Sequence, residues 1–111
     1  DLDFDLTAYF PELEKEVKFE EMKREIIQLY ATATSQLSIL KLNAEALILA
    51  NVQYEIAEKD FANGKMESKD LSSEKSRQSV AQEKFENSKF ELMRSLMILE
   101  VITRTSILKS K

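Results

Sequence analysis

Residues 61–71 read Phe61-Ala62-Asn63-Gly64-Lys65-Met66-Glu67-Ser68-Lys69-Asp70-Leu71 and contain the only glycine of a 111-residue chain. A glycine adopts the left-handed conformation that ends a helix without a side-chain penalty, and Asn63 before it also tolerates that geometry. Ser68, or Glu67 together with Ser68, can cap a new helix whose first buried position is Leu71. Because residues compatible with long helices lie on both sides, the sequence predicts the tip of a helical hairpin, with its turn near residues 62–67.

The composition of the chain favours an all-α fold in one domain. A single glycine and a single proline leave few turns, and 32% of the residues are charged. Glu, Lys, Leu, Ala, Ser and Ile dominate, as is typical of long helices. We therefore predict an N-terminal arm over residues 1–11 and a helical hairpin over residues 12–111. The arm alternates apolar and acidic residues, so that it could form a short strand or lay its aromatic side chains on a partner.

The spacing of apolar residues predicts that the two helices form a long antiparallel coiled coil. Between Glu12 and Asn63 no helix breaker occurs, and apolar or small residues recur in steps of three and four, close to a 3.5-residue repeat. This predicted seam comprises Phe19, Met22, Ile26, Leu29, Ala33, Leu37, Leu40, Ala44, Leu47, Ala50, Tyr54, Ala57 and Phe61. The second helix, from about Ser68 to Ile107, repeats the spacing at Val80, Ala81, Phe85, Ser88, Leu92, Leu96, Leu99 and Thr103.

The middle of the first helix is more apolar than one seam requires. The additional residues are Ile39, Leu42, Ala46, Ile48, Leu49 and Val52. A wide apolar stripe indicates burial against more than one neighbour, and a hairpin supplies only one. We therefore expect self-association into a dimer or trimer, with the copies packing into a helical bundle. Because polar residues interrupt the apolar run, no membrane span is expected.

The charged and polar residues predict neither nucleic-acid binding nor catalysis. The net charge is −4, without the basic face of a nucleic-acid-binding protein, and the absence of His and Cys removes imidazole and thiol chemistry. Glu16–Glu20 and Glu21–Glu25 are spaced like parts of a carboxylate-bridged metal site, but such sites in helical bundles use a Glu-x-x-His motif, and surface salt bridges are the favoured interpretation. The serines near residue 72 have no basic partner. We expect a non-enzymatic protein that binds no metal and no cofactor.

The distribution of charge along the chain is uneven. Residues 1–64 hold 6 Lys/Arg and 13 Asp/Glu, whereas residues 65–111 hold 10 and 7. Opposite net charges would favour antiparallel pairing of the two halves, although solvated faces of uneven composition explain the difference equally well. Asp1-Leu2-Asp3-Phe4-Asp5 is acidic where a secretory signal is basic and then apolar, so no signal peptide is expected within the chain.

An ordered pattern extends from Leu47 to Val101. It has alanine and aromatic residues, an aromatic-x-x-Gly turn, a short polar link, an acidic-Leu pair and a long second helix. The residues that carry it are Ala50, Tyr54, Ala57, Phe61-Ala62-Asn63-Gly64, Lys65-Met66-Glu67-Ser68, Asp70-Leu71, Ala81, Phe85, Phe90-Glu91-Leu92 and Leu96-Met97-Ile98-Leu99-Glu100-Val101. In these features the chain resembles the TolC-like outer-membrane efflux protein family.

The resemblance implies a periplasmic, outer-membrane-associated hairpin of a trimeric export duct for efflux or type I secretion. In that family the turn contacts the periplasmic adaptor protein of an inner-membrane pump and helps to close the mouth of the tunnel. The matching partner-binding residues here would be Phe61, Asn63, Gly64, Lys65, Met66, Asp70 and Leu71. The chain departs from the family pattern because it has one hairpin instead of two, lacks a pair of membrane strands, and carries Ser72 and Ser73 after the acidic-Leu pair. The alternative function is a self-associating coiled-coil scaffold or adaptor module.

Overall fold

The computed structural model describes residues 11–110, which form two long α-helices joined by a short turn. Helix α1 is Pro11–Ala62 and has 52 residues, while helix α2 is Ser68–Ser110 and has 43. At 1.5 Å per residue, α1 is about 78 Å long. The two helices pack along each other in opposite directions. The predicted all-α helical hairpin is confirmed. Of the predicted arm, residues 1–10 lie outside the described part of the chain.

The start of α1 follows from its first residues. Pro11 is the first helical residue, where its fixed φ suits a helix and its missing N–H leaves no bond unmade. Glu12 and Glu14 occupy the first turn, where a negative charge interacts favourably with the helix dipole.

The turn between the helices is a Schellman motif around Gly64. Gly64 has a φ of +74°, in the left-handed region. The Gly64 N–H donates to the carbonyl of Phe61 at 3.1 Å, and the Lys65 N–H donates to the carbonyl of Asp60 at 2.8 Å. These are the two bonds that close the C-terminus of a helix in this motif. The glycine therefore ends α1 as the sequence predicts.

Helix α2 begins one residue after its N-cap, Glu67. The Glu67 carbonyl accepts hydrogen bonds from the N–H groups of Asp70 and Leu71, both at 3.1 Å. Because the first intrahelical bonds go to Glu67, this residue takes the N-cap position, and Ser68 is the first helical residue. Of the two capping residues that the sequence offers, the structure uses Glu67 through its backbone.

The interface between the helices is a seam with a strict heptad spacing. The buried and half-buried residues include two unbroken series in which steps of three and four alternate. In α1 the series is Met22, Ile26, Leu29, Ala33, Gln36, Leu40, Asn43, Leu47, Ala50, Tyr54 and Ala57. In α2 it is Leu71, Glu74, Gln78, Ala81, Phe85, Ser88, Leu92, Ser95, Leu99 and Ile102.

Five residues assigned to the seam from sequence are exposed and lie outside it. Leu37 and Leu96 are 41% and 48% exposed, and the seam positions beside them are taken by Gln36 and Ser95. Phe19, Phe61 and Val80 are also exposed, at 56%, 44% and 49%. Ala44 and Thr103 are half-buried beside the seam, whose regular spacing passes through Asn43 and Ile102. The sequence pattern assigned Leu37 and Leu96 to the seam because only apolar or small residues were considered at these places. In the structure the heptad spacing continues through polar positions, and a residue one place away is turned by about 100°.

Polar contacts across the seam set the alignment of the two helices. The Asn43 Nδ2 group donates to Ser88 Oγ and, at 3.4 Å, to the Lys84 carbonyl, which also accepts from Ser88 Oγ at 2.7 Å. The Gln78 Nε2 group donates to Asn51 Oδ1 at 2.8 Å. In this alignment, a residue of α1 lies beside a residue of α2 when their two residue numbers add to about 130.

The core contains only small side chains. Ala33, Ala57 and Ser88 are the buried residues of the described chain, at 5%, 2% and 8% exposure, and none of its large side chains is fully buried. Small side chains between two helices are covered by the neighbouring backbone, whereas larger ones extend past it into solvent. A single pair of helices therefore provides one narrow seam.

Candidate functional site

The residues predicted to bind a partner come together at the tip of the hairpin. Gly64 is exposed there, and a Cβ atom built on it would meet nothing within 4 Å. Phe61 is 44% exposed although it is a large aromatic residue, while Met66 and Leu71 are half-buried at the end of the seam. The tip thus presents an aromatic ring beside an open backbone turn.

Charged and polar side chains follow Phe61 in the turn and at the start of α2. They are Asn63, Lys65, Glu67, Lys69 and Asp70, all exposed. The ion pairs of the described residues do not include any of them; they join Lys18 to Glu14, Arg77 to Glu74, Lys89 to Glu86 and Arg104 to Glu100. The tip can therefore offer both donors and acceptors to another molecule, with an apolar ring between them.

The ion pairs of the described residues bear on the uneven distribution of charge between the two halves. Each pair lies within one helix at a spacing of three or four residues, and none of those among residues 11–110 joins α1 to α2. The only cation contact across the seam that the structure describes puts Lys75 Nζ 5.2 Å from the centre of the Tyr54 ring. Within residues 11–110, the ion pairs therefore link neighbouring turns of one helix and do not link the two halves.

A second heptad series lies on one flank of α1, and we call it the α1 stripe. It consists of Ile39, Leu42, Ala46, Leu49, Gln53 and Ile56, in steps of three and four. Each member directly precedes a seam residue, so the α1 stripe runs parallel to the seam about 100° round the helix. Leu42 is 64% exposed, Leu49 57% and Ile56 54%. The α1 stripe holds no charged residue over about 26 Å of helix.

A second exposed apolar surface lies at the other end of the hairpin, on α2. Phe90 is 65% exposed and Met97 64%, and further exposed side chains lie between and beyond them. These are Met93, Leu96, Ile98 and Val101. They lie beside the part of α1 around residues 30–41, whereas the α1 stripe lies beside the polar half of α2. The two apolar surfaces are thus on different helices at different heights.

Sequence reasoning found the excess of apolar residues but missed its division into two faces. Within residues 46–50, Ala46 and Leu49 belong to the α1 stripe, Leu47 and Ala50 to the seam, and Ile48 to neither. All five are apolar, so that the sequence shows one continuous apolar run. A search for a second 3.5-residue series, displaced by one position from the first, would have separated the α1 stripe.

The described residues show no arrangement suited to metal binding or membrane crossing. In residues 11–110, no group of three or more acidic side chains is placed to hold a metal ion, and the pairs Glu16–Glu20 and Glu21–Glu25 are exposed. Neither described helix has a segment of the length and apolarity needed to cross a membrane. Comparison with protein-family models, curated proteins and solved structures finds no significant match to the chain.

Proposed function

We propose that the chain is a non-enzymatic helical hairpin that works through assembly, as a periplasmic segment in the wall of a TolC-like export duct. The observation that carries the proposal is the exposure of large apolar side chains on both helices outside the seam, such as Leu42 at 64% and Phe90 at 65%. A single layer of two helices leaves these side chains in water. Further helices at both edges would cover them, as in a wall built from hairpins.

The tip supports the second half of the proposal, a contact with an adaptor protein. Phe61, Asn63, Gly64, Lys65, Met66, Asp70 and Leu71 occupy the positions that bind the adaptor in the family that the sequence resembles. Phe61 and the charged residues around it are exposed and take no part in the ion pairs of the hairpin. An exposed aromatic residue with polar neighbours is a common composition for a protein contact site.

The proposal is tested by photo-crosslinking in the native host. A photoreactive residue replaces Lys65 at the tip, and a matched control replaces Glu83, which is exposed in the middle of α2. We expect the protein in the periplasmic or envelope fraction, with a crosslink from position 65, but not from position 83, to a protein that mass spectrometry identifies as a periplasmic pump adaptor. A cytoplasmic protein, or equal crosslinks from both positions, would contradict the export function.

A self-associating coiled-coil scaffold is the second candidate function. It is favoured by the unbroken heptad spacing of the seam, which coiled coils in any compartment share. The same experiment separates the two candidates. A scaffold would form oligomers without an adaptor crosslink from the tip.

A further inference from the structure

The α1 stripe is suited to bind another helix with a heptad stripe. Its residues are spaced like the a and d positions of a coiled coil, and isoleucine and leucine hold four of its six places. Its exposed side chains include Ile39 at 48% and Leu49 at 57%. A partner must therefore present a straight, uncharged apolar stripe of similar length.

Helix α2 of a neighbouring hairpin does not provide such a stripe. If two hairpins stand side by side with their tips level, the half of α2 around residues 75–92 lies opposite the α1 stripe. Within residues 72–89 the only exposed large hydrophobic side chain is Val80, and the others exposed there are polar or charged. Burying charged side chains against isoleucine and leucine is unfavourable. With the tips level, the described surface that matches the α1 stripe is the same stripe of a second copy, because the apolar surface of α2 from Phe90 to Val101 is shorter and lies at a different height.

Gln53 determines the direction in which two α1 stripes would pair. In a parallel pair without offset, each stripe residue faces its counterpart, and the two Gln53 amides can donate to and accept from each other. In an antiparallel pair centred between Leu47 and Ile48, Gln53 instead faces Leu42, and a buried amide loses its partners. A single polar residue in an apolar stripe sets the alignment of parallel coiled coils in the same way.

The area of such a contact fits a reversible dimer. Covering six stripe residues and their nearest neighbours on each copy removes roughly 1,000 Å² of surface, which is near the lower limit for a specific interface. The neighbouring positions on the outer side of the stripe are Ser38, Glu45 and Val52, so that a parallel pair brings together one acidic residue per copy. The association is therefore expected to depend on protein concentration.

We infer that two copies of the chain pair in parallel through the α1 stripe, with Gln53 facing Gln53 and both tips at the same end. This contact rests on the assembly in the proposed function and deepens it, because it names the partner helix and the direction of pairing at one of the two apolar surfaces.

The role of the surface is tested by comparing Leu49→Lys with Ile48→Lys in the 111-residue chain. The two residues are adjacent and similarly exposed, at 57% and 63%, but Ile48 follows a seam residue and lies on the other flank of α1. In sedimentation equilibrium we expect Leu49→Lys to weaken dimerisation at least tenfold and Ile48→Lys to change it less than threefold. Circular dichroism checks that both variants remain helical, since neither residue is buried.

The direction of pairing is tested with single cysteines, because the natural chain has none. Under mild oxidation, Gln53→Cys should form a disulfide-linked dimer much faster than Glu55→Cys, whose side chain lies off the stripe. Disulfides that form mainly between Leu42→Cys chains and Gln53→Cys chains would indicate antiparallel pairing and overturn the inference.

The outcomes distinguish this inference from the proposed function. An oligomer that is unaffected by Leu49→Lys, or equally affected by both lysine variants, overturns the α1 stripe as the contact and leaves assembly by another surface. A monomer at every concentration overturns the contact and the assembly together. If such a monomer still gives the adaptor crosslink from position 65, the contact and the assembly are overturned while the adaptor half of the proposed function stands.

Discussion

Gly64 is the residue on which the reversal of the chain depends most directly. Its φ of +74° is one that residues with a Cβ atom rarely adopt, and the surrounding space is open. The cost of replacing Gly64 is therefore a backbone cost and not a steric clash with another part of the hairpin. Different side chains at this position should differ mainly in how well they tolerate the left-handed conformation.

We predict that stability falls in the order Gly64, Gly64→Asn, Gly64→Ala, Gly64→Val. Asparagine tolerates the left-handed region, alanine should cost about 1–2 kcal/mol, and valine more because it is β-branched. Urea unfolding followed by circular dichroism measures the differences. Equal stability of the alanine and valine variants with the natural chain would show that the turn can form without the left-handed residue.

The sequence predicted this turn well because its signal is local. One glycine between two helix-compatible segments leaves little choice of place. The sequence did not identify the N-cap residue of α2, since Glu67 and Ser68 are both acceptable at that position. Which of them caps α2 depends on which carbonyl accepts the first helical hydrogen bonds, and here it is that of Glu67.

At the scale of the helices, the seam shows why an apolar pattern locates a coiled coil but can miss its phase. Most predicted seam residues of α1 are confirmed, but Leu37 lies outside and Gln36 lies inside. The leucine is the better core residue by hydrophobicity. It is nevertheless excluded because the four-residue step from Leu29 to Ala33 is followed by a three-residue step in a heptad series, and that step reaches position 36.

Gln36 is the least satisfied polar residue of the seam. Its Oε1 atom is buried and accepts no hydrogen bond, although the alignment of the helices places Ser95 nearly opposite. Asn43, one heptad further along, has the partners that Gln36 lacks. A buried acceptor without a donor typically costs about 1–3 kcal/mol.

We therefore predict that Gln36→Leu stabilises the hairpin by about 1 kcal/mol, because it removes the unpaired acceptor and adds apolar surface to the seam. The matched control is Gln28→Leu on the exposed side of α1, which should change stability by less than about 0.5 kcal/mol. Urea unfolding of both variants is the measurement. A loss of stability in Gln36→Leu alone would mean that the amide has a favourable contact in solution.

For the whole molecule, the important property is that a large apolar surface stays outside the seam between the two described helices. No large side chain of the described chain is fully buried, and many hydrophobic residues are roughly half exposed or more. The hydrophobic contribution to stability rises with the apolar area removed from water. An isolated hairpin should for this reason be only marginally stable, and association should add to its stability.

We predict that the melting temperature rises with protein concentration, by about 3 °C for each tenfold increase, because binding of a second copy stabilises the folded state. Thermal melts over a hundredfold range of concentration measure the effect. In Leu49→Lys the dependence should become much weaker, while Ile48→Lys should keep it. A melting temperature that is constant over the whole range would indicate that folding and association are independent.

The sequence predicted self-association but not the surface responsible for it. Ala46 and Leu49 belong to the α1 stripe, Leu47 and Ala50 to the seam, and Ile48 to neither. In the linear sequence these residues form one run. To assign them to faces, one must know which residues occupy the seam. Some seam positions are polar, and a search for apolar residues alone does not find them.

The strict alternation of three- and four-residue steps also limits how the length of this hairpin can evolve. An insertion in one helix alone would shift the seam residues between it and the open end relative to the other helix. An insertion between Asn43 and the turn would therefore separate Asn43 from Ser88. A change of length preserves the contacts only if seven residues enter or leave α1 and seven enter or leave α2 at the facing place. Between the contacts described here, the hairpin can therefore become longer or shorter only by one heptad in each helix at the same time. Each such step changes the length of the hairpin by about 10 Å.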